Sequence, residues 1–179
     1  MQDLLPRAER LGALLKARRE TVGVSESSSG GLVSAALLSV PGASAYFQGG
    51  AVVYTQGARS ALLAVTPDQM SGIRSASEPY ALLLARTMRE RLGTTWGIAE
   101  TGAAGPEGNR YGDAPGHTCV AVSGPVERAA TLETGHADRV ANMRAFALTL
   151  LDLLTEVLEA GERQAPPTPD RLLTPTALG

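Results

Sequence analysis

The chain has one cysteine, Cys119, and one lysine, Lys16, among its 179 residues. A single cysteine excludes an intramolecular disulfide and any metal centre built from several cysteines. The place of Cys119 in the apolar run 117–122 predicts a buried structural thiol rather than a nucleophile. A mechanism that requires a lysine as proton acceptor has only Lys16 available in this sequence.

Long apolar runs and blocks of like charge are also missing. No run approaches the roughly 18 apolar residues that a membrane-spanning helix needs, and no basic-then-apolar leader begins the sequence. We therefore expect a cytoplasmic protein without a membrane partner. The net charge is −2 and no cluster of Lys or Arg occurs, which disfavours nucleic acid as a partner.

Several common site motifs are absent as well. No two glycines lie two residues apart, which excludes the G-x-G of dinucleotide-binding turns, and the one lysine lies outside any glycine turn, which excludes a P-loop. The G-x-S-x-G motif of α/β-hydrolases is also missing. Neither His117 nor His136 has a second ligand at metal-binding spacing. We expect neither a metal ion nor a cofactor.

Apolar periodicity predicts helices that alternate with short strands. The helices are predicted over residues 3–20, 32–38, 56–63, 78–92 and 138–160, and Ser77 is predicted to cap the fourth of them. The strands are predicted over 21–24, 50–54 (buried), 95–99, 117–123 and 129–134, the last two able to pair as an antiparallel hairpin. This alternation predicts an α/β fold with a mostly parallel sheet in a single domain, residues 1–160. The Pro/Thr-rich tail 161–179 is predicted to be disordered.

A serine-rich turn connects the first predicted strand to the second helix. Residues 25–31 read Ser-Glu-Ser-Ser-Ser-Gly-Gly. Backbone amides at such a strand-to-helix turn can bind a phosphate. The alternative is a hydroxyl-rich cap for the helix.

Three later segments also combine small residues with reactive ones. Ser44 follows the helix break at 41–42 and is either a nucleophile or the cap of the next helix. Segment 101–106 follows a strand and can admit a ligand close to the backbone, unless it is only a mobile loop. Near the start of the last helix, Asp138 can cap the helix and Arg139 can bind a phosphate or carboxylate, unless it is merely solvated.

Taken in order, these segments resemble the C-terminal domain of the CinA family, whose active, PncC-type members deamidate nicotinamide mononucleotide. The family pattern A-E-S-C-T-G-G is similar to residues 25–31, and P-G-S-S-A-x-F is similar to 41–47. The remaining similar segments are 49–59, 76–79, 101–106 and 138–139. Each motif is weak alone, but six of them in one order are specific.

The resemblance implies a three-layer α/β/α fold, a homo-oligomer (dimer or trimer) and hydrolysis of the nicotinamide carboxamide to nicotinate mononucleotide and ammonia. It implies catalytic or substrate roles at four positions: Ser44 as the nucleophile, with Tyr54 nearby, Arg59 and Thr101. It implies that a small-molecule nucleotide is bound by Glu26, Ser27, Ser29, Gly30, Gly31, Gly102, Gly105 and Arg139.

Arg59 departs from the family pattern at the position of the catalytic lysine. A Ser–Lys pair needs an amine that can become neutral, whereas arginine stays protonated in proteins. The substitution therefore supports a second hypothesis, that the domain is catalytically silent and binds a pyridine nucleotide or a related phosphate ligand. His117 is the one candidate for a substitute base, and its alternative is a strand histidine without a catalytic role.

Overall fold

A five-stranded sheet forms the middle layer of the computed structural model, which describes the backbone of residues 1–164 and the side chains of residues 1–161. The strands are β1 Val22–Glu26, β2 Phe47–Val52, β3 Trp96–Ala103, β4 His117–Ser123 and β5 Glu127–Glu133. The helices are α1 Leu5–Arg18, α2 Leu32–Leu38, α3 Gln56–Leu63, α4 Glu78–Leu92 and α5 Arg139–Gln164. Short 3-10 turns occupy Ala43–Ala45 and Asp68–Met70.

The strand order is β2-β1-β3-β4-β5. Strand β1 is parallel to β2 and β3, whereas β3–β4 and β4–β5 are antiparallel. The α/β prediction and the predicted hairpin are confirmed, but the sheet is mixed, with two parallel and two antiparallel pairings, rather than mostly parallel. Because β1, β2 and β3 run the same way, the segments after their carboxyl ends lie side by side, where open α/β sheets bind ligands.

Helices cover both faces of the sheet and make the three-layer arrangement. Helices α1, α2 and α5 share one core with the sheet, which includes Leu11, Leu37 and Leu151. Helices α3 and α4 enclose the other core, where Leu84 packs near Cys119. Cys119 is 2% exposed, so the prediction of a buried thiol is confirmed, and burial raises the pKa of this thiol.

Polar side chains begin the helices that frame the carboxyl edge of the sheet. Ser77 accepts a hydrogen bond from the amide of Tyr80 at the start of α4. At the start of α5, Asp138 accepts one from the amide of Ala141 at 3.0 Å, so the predicted cap is confirmed. Such caps satisfy amides that have no partner within the helix.

Two strands differ from their predicted form. Strand β2 is an outer strand with alternating exposure rather than a buried one at 50–54. Its Gly50 leaves room for α2, because a Cβ there would lie 2.2 Å from the Ser34 hydroxyl oxygen, which would have to move. Strand β3 continues through Thr101 to Ala103, which the sequence analysis assigned to a loop, because this stretch pairs with β4.

Helix α5 continues to Gln164, beyond its predicted end at residue 160. The rest of the predicted tail, residues 165–179, lies outside the described residues. Within residues 1–164, no helix combines the length and apolar character needed to cross a membrane.

Candidate functional site

The serine turn is organised around the carboxyl group of Glu26, which is fully buried at the end of β1. Its Oε2 accepts hydrogen bonds from the Ser29 hydroxyl and from the amides of Gly31 and Val33, at 2.8–3.0 Å. Its Oε1 accepts from the amide and the hydroxyl of Ser34. Glu26 therefore caps α2 with a carboxyl group from the preceding strand.

A second buried acid, Glu100 on β3, holds the other side of the turn. Its Oε2 accepts from the amides of Ser27 and Ser29 at 3.1 and 2.8 Å, and its Oε1 accepts from the Thr118 hydroxyl at 3.2 Å. Burial raises the pKa of Glu100, and the nearby charge of Glu26 raises it further. The hydrogen bonds from the turn lower this pKa, but the overall shift is upward. Ser29 thus connects both acids, through its hydroxyl and its amide.

This arrangement changes the predicted role of the turn. The amides of Ser27, Ser29 and Gly31 are donated to carboxyl groups of the chain and are not directed at a ligand. The turn is neither a set of amides directed at a phosphate nor a helix cap made of serine hydroxyls. The acceptors for its amides are instead the carboxyl groups of Glu26 and Glu100. Glu26 has no exposed surface with which to contact a substrate.

A cavity of about 590 Å³ opens at the carboxyl edge of the sheet. Its wall includes Thr101 and Gly102 of β3, Tyr54 after β2, and Ser27 of the serine turn. Further lining residues are Arg59, Arg74, Tyr80, Asn109, Arg110 and Tyr111. The cavity therefore combines main-chain edges, hydroxyls, aromatic rings and guanidinium groups.

Arg59 contributes a buried cation to this cavity. The residue is only 8% exposed, and its guanidinium carbon lies 5.6 Å from the centre of the Tyr80 ring. Its Nε is buried without a hydrogen-bond partner in the part of the chain that the structure describes. A buried cation that lies over an aromatic face and has no carboxylate partner among residues 1–161 is suited to bind an anion, because an unpaired buried charge is costly.

The other arginines of the cavity are held by neighbours. Arg74 donates two hydrogen bonds to Asp113, at 2.6 and 3.0 Å, and this pairing lowers the pKa of Asp113. Arg110 donates to the Tyr111 hydroxyl at 2.9 Å. No Asp or Glu is among the described residues that line this cavity. Its lining is therefore positively charged.

A smaller cavity of about 380 Å³ adjoins the first and shares Tyr54, Gly102 and Asn109 with it. Gly105 and Arg139 line it, together with Ser28 from the serine turn. Arg139 donates to the Gly105 carbonyl and to the Tyr54 hydroxyl, the latter at 3.3 Å. The two cavities form a cleft with guanidinium groups in both parts.

Ser44 lies away from this cleft. It is exposed in the 3-10 turn before β2, whereas Tyr54 follows the other end of that strand. The six residues of β2 separate these ends by roughly 17 Å at about 3.3 Å per residue. The expected proximity of Ser44 and Tyr54 is therefore wrong within one chain. The cation at the Ser44 turn is Lys16, whose Nζ lies 3.4 Å from the Pro41 carbonyl.

His117 is engaged on both ring nitrogens. Its Nδ1 lies 2.5 Å from Glu133 Oε1, and its Nε2 donates to the Ala76 carbonyl at 3.0 Å. Burial lowers the pKa of His117, but the hydrogen bonds to Glu133 and Ala76 and the charge of Asp113 raise it. The overall shift of the pKa is upward. Both ring nitrogens are held by neighbouring acceptors, so His117 is not placed to act as a base for Ser44, which lies at the opposite edge of the sheet. Residues 1–161 contain no cluster of His, Cys, Asp and Glu suited to a metal ion.

The sequence between residues 5 and 158 matches the family model for the CinA C-terminal domain. The chain belongs to the CinA family. A CinA-like protein from an Anaeromyxobacter species is 39% identical over 155 residues, 85% of this chain and 38% of that protein. One from a Cyanothece species is 40% identical over 118 residues, 66% of this chain and 28% of that protein. The chain thus spans well under half of these curated relatives.

Solved CinA structures share the fold. A competence/damage-inducible protein from Agrobacterium tumefaciens superposes with a TM-score of 0.80 at 26% identity, over 88% of this chain and 96% of that one. A CinA-superfamily protein from Klebsiella pneumoniae gives a TM-score of 0.82 at 23% identity, over 88% and 98% of the two chains. The three-layer CinA fold is thereby confirmed.

The cleft of this CinA domain collects part of the predicted site. Tyr54, Arg59, Thr101 and Gly102 meet in the larger cavity with Ser27, and Gly105 and Arg139 meet in the smaller one. The remaining predicted site residues line neither cavity; they are Glu26, Ser29, Gly30, Gly31 and Ser44.

The sequence analysis missed Ser28, Tyr80 and Arg110, which also line the cleft. Ser28 lies within the serine turn but was not singled out there, and no motif marks Arg110. Tyr80 could have been found from the predicted cap at Ser77, because a cap at the carboxyl edge places the first turn of its helix beside the site.

Proposed function

We propose that this CinA domain binds a nicotinamide nucleotide in the cleft at the carboxyl edge of the sheet, with a phosphate or carboxylate of the ligand on Arg59. The observation that carries the proposal is the buried guanidinium of Arg59, whose Nε has no partner among the described residues. The cavity around it has three arginines and no acidic side chain, so an anionic ligand is favoured.

The shape of the cleft supports a ligand with two polar ends. Tyr54 lies between the two cavities, and Arg59 and Arg139 lie in different parts of the cleft. The rings of Tyr80 and Tyr111 offer apolar faces for a planar base. A mononucleotide matches this lining, because its planar base can lie against the tyrosine rings and its phosphate can pair with an arginine.

The test is a calorimetric titration with nicotinamide mononucleotide, nicotinate mononucleotide and inorganic phosphate. Loss of a charge-assisted hydrogen bond in Arg59→Gln should weaken binding of the nucleotide by about 10- to 100-fold. The matched control is Arg128→Gln, because Arg128 is an exposed arginine on β5 that pairs with Glu156 away from the cleft. Equal affinities of the two variants would contradict the proposal.

Hydrolysis of the nicotinamide amide is the second candidate function, favoured by the presence of Ser44 within the CinA motif. Ser44 would lose its proton to a base as it attacks the carboxamide carbon, ammonia would leave once its nitrogen is protonated, and water would then hydrolyse the resulting serine ester to release nicotinate mononucleotide. Arg59 cannot accept the Ser44 proton, since a guanidinium stays protonated. The amine that contacts the Ser44 turn is Lys16.

Ammonia release from nicotinamide mononucleotide separates the two functions. The binding proposal expects no release by the natural chain, together with saturable binding. Steady release that Ser44→Ala abolishes would instead establish the amidase, and Lys16→Gln would then test the base. If Arg59→Lys releases ammonia and the natural chain does not, the inactivity of the natural chain is due to the missing lysine. Homo-oligomerisation and a cytoplasmic location remain predictions of the sequence and its family.

A further inference from the structure

Residues 108–113 form a closed loop beside the larger cavity. The amide of Asn109 donates to the Asp113 carbonyl at 3.1 Å, and Asn109 Oδ1 accepts from the amides of Tyr111 and Asp113 at 3.0 and 3.1 Å. The two ends of the loop touch, because a Cβ at Gly108 would lie 2.2 Å from the Asp113 carbonyl oxygen. These bonds make the loop one unit. The residues of this unit that line the cavity are Asn109, Arg110 and Tyr111.

The carboxyl group of Asp113 connects this loop to another part of the cavity wall. It accepts the two hydrogen bonds from Arg74, which precedes α4 by only a few residues, and a third from the Asn109 side-chain NH2 at 2.7 Å. The Asp113 side chain is only 14% exposed, so the pair is partly shielded from water. Bidentate pairs between a guanidinium and a carboxylate fix geometry as well as contributing energy. Asp113 therefore joins two wall segments that lie 39 positions apart in the chain.

The Tyr111 ring depends on this connection for its position. The guanidinium carbons of Arg74 and Arg110 lie 5.7 and 5.0 Å from the centre of the ring. Hydrogen bonds with Ser75 and Arg110 hold the Tyr111 hydroxyl and lower its pKa. Arg74 thus contacts the ring with its guanidinium group while the same group is bound by Asp113. A change at Asp113 should therefore reach the ring through Arg74.

We propose that Asp113 is a positioning residue of the ligand site, which fixes the Tyr111 ring as a wall for the planar base of the ligand by holding Arg74. Asp113 is not among the described residues that line either cavity, so it acts through the ring and not on the ligand. Its pair with Arg74 also occupies that guanidinium, and the anion of the ligand is left to Arg59. The inference rests on the proposed ligand site and names a residue that shapes it from outside.

Hydrogen exchange measured by mass spectrometry tests the connection without a ligand. Asp113→Asn keeps the size of the side chain but removes the charge that Arg74 pairs with, and we expect the amides of residues 108–113 to exchange at least about 10-fold faster. Arg74→Gln removes the pair from the other side and should have the same effect. The matched control is Asp152→Asn, because Asp152 on α5 accepts two hydrogen bonds from Arg7 away from the cleft. Unchanged exchange of residues 108–113 in both Asp113→Asn and Arg74→Gln would overturn the proposal.

Calorimetry separates a positioning role from a general loss of structure. Asp113→Asn should weaken binding of nicotinamide mononucleotide about 3- to 10-fold but should not weaken binding of inorganic phosphate, which has no base to place against the ring. Because Asp113 acts through the ring, Tyr111→Ala/Asp113→Asn should bind the nucleotide no more weakly than Tyr111→Ala alone. Additive losses in the double variant, or equal losses for nucleotide and phosphate, would overturn the proposal. A natural chain that binds no nucleotide, with loop exchange as expected, would instead contradict the proposed function alone.

Discussion

Replacing Glu26 by glutamine tests whether the serine turn is held from inside the protein. The natural carboxyl group accepts five hydrogen bonds from the turn and from the start of α2. Glutamine offers one accepting oxygen and an NH2 group that cannot accept. In the least costly arrangement the NH2 replaces Oε1, the Ser34 hydroxyl turns to accept from it, and the Ser34 amide loses its acceptor.

The expected loss follows from these contacts. An amide left without an acceptor in the interior costs about 1–3 kcal/mol, and loss of a negative charge at the first turn of α2 costs about 0.5–1 kcal/mol. Glu26→Gln should therefore lower the free energy of unfolding by about 1.5–4 kcal/mol. The same variant should keep its affinity for nicotinamide mononucleotide, because Glu26 does not line the cleft.

Urea denaturation measures this free energy. The single tryptophan, Trp96, is 2% exposed on β3 and reports unfolding by its fluorescence. The matched control is Glu9→Gln on the exposed side of α1, which should change stability by less than about 0.5 kcal/mol. If Glu26→Gln costs less than about 1 kcal/mol at an unchanged m-value, the carboxyl group is not the main acceptor of the turn.

Three further predictions concern pH and close packing. The pKa of His117 is raised in the folded protein, so protonation of this side chain should stabilise the fold below about pH 6.5, and this stabilisation should be lost as the pH rises through the pKa of the folded state. In urea denaturation, His117→Asn should reduce this decrease of the unfolding free energy with pH. Arg86 lowers the pKa of Glu127 to about 2, so stability from this pair should be present above about pH 4.5 and fall towards pH 2, and Glu127→Gln should remove this dependence in acid unfolding curves. Gly102→Ala should reduce both the melting temperature and nucleotide binding, because its Cβ would lie 2.3 Å from the His117 carbonyl oxygen; unchanged melting would contradict the close packing.

Local patterns predicted much of the fold. Helix α3 has the predicted bounds, and the caps at Ser77 and Asp138 are where the sequence placed them, because a cap depends on residues within one turn. The place of β2 at the outer edge depends on strand order, which local spacing does not encode. The apolar run 50–54 was interpreted as a buried strand, whereas β2 is an outer strand whose Gly50 allows the close approach of α2.

The site was less accessible to sequence reasoning, because its polar contacts join distant parts of the chain. Glu100 accepts from Ser27, 73 residues earlier, and no spacing rule predicts that pair. A serine-rich turn resembles a phosphate site when its internal acceptors are unknown. The resemblance implied that Tyr54 lies near Ser44, but within one chain an intervening extended strand separates them.

The connection between Glu100 and the serine turn also has a consequence for the order of folding. Strands β3, β4 and β5 pair with their neighbours in sequence, whereas β1 must find β3 across most of the domain. Local contacts generally form first, so we expect the β3–β5 meander with α4 to precede the docking of β1. The serine turn and the cleft would then form late, and substitutions at Ser29 should accelerate unfolding more than they slow folding.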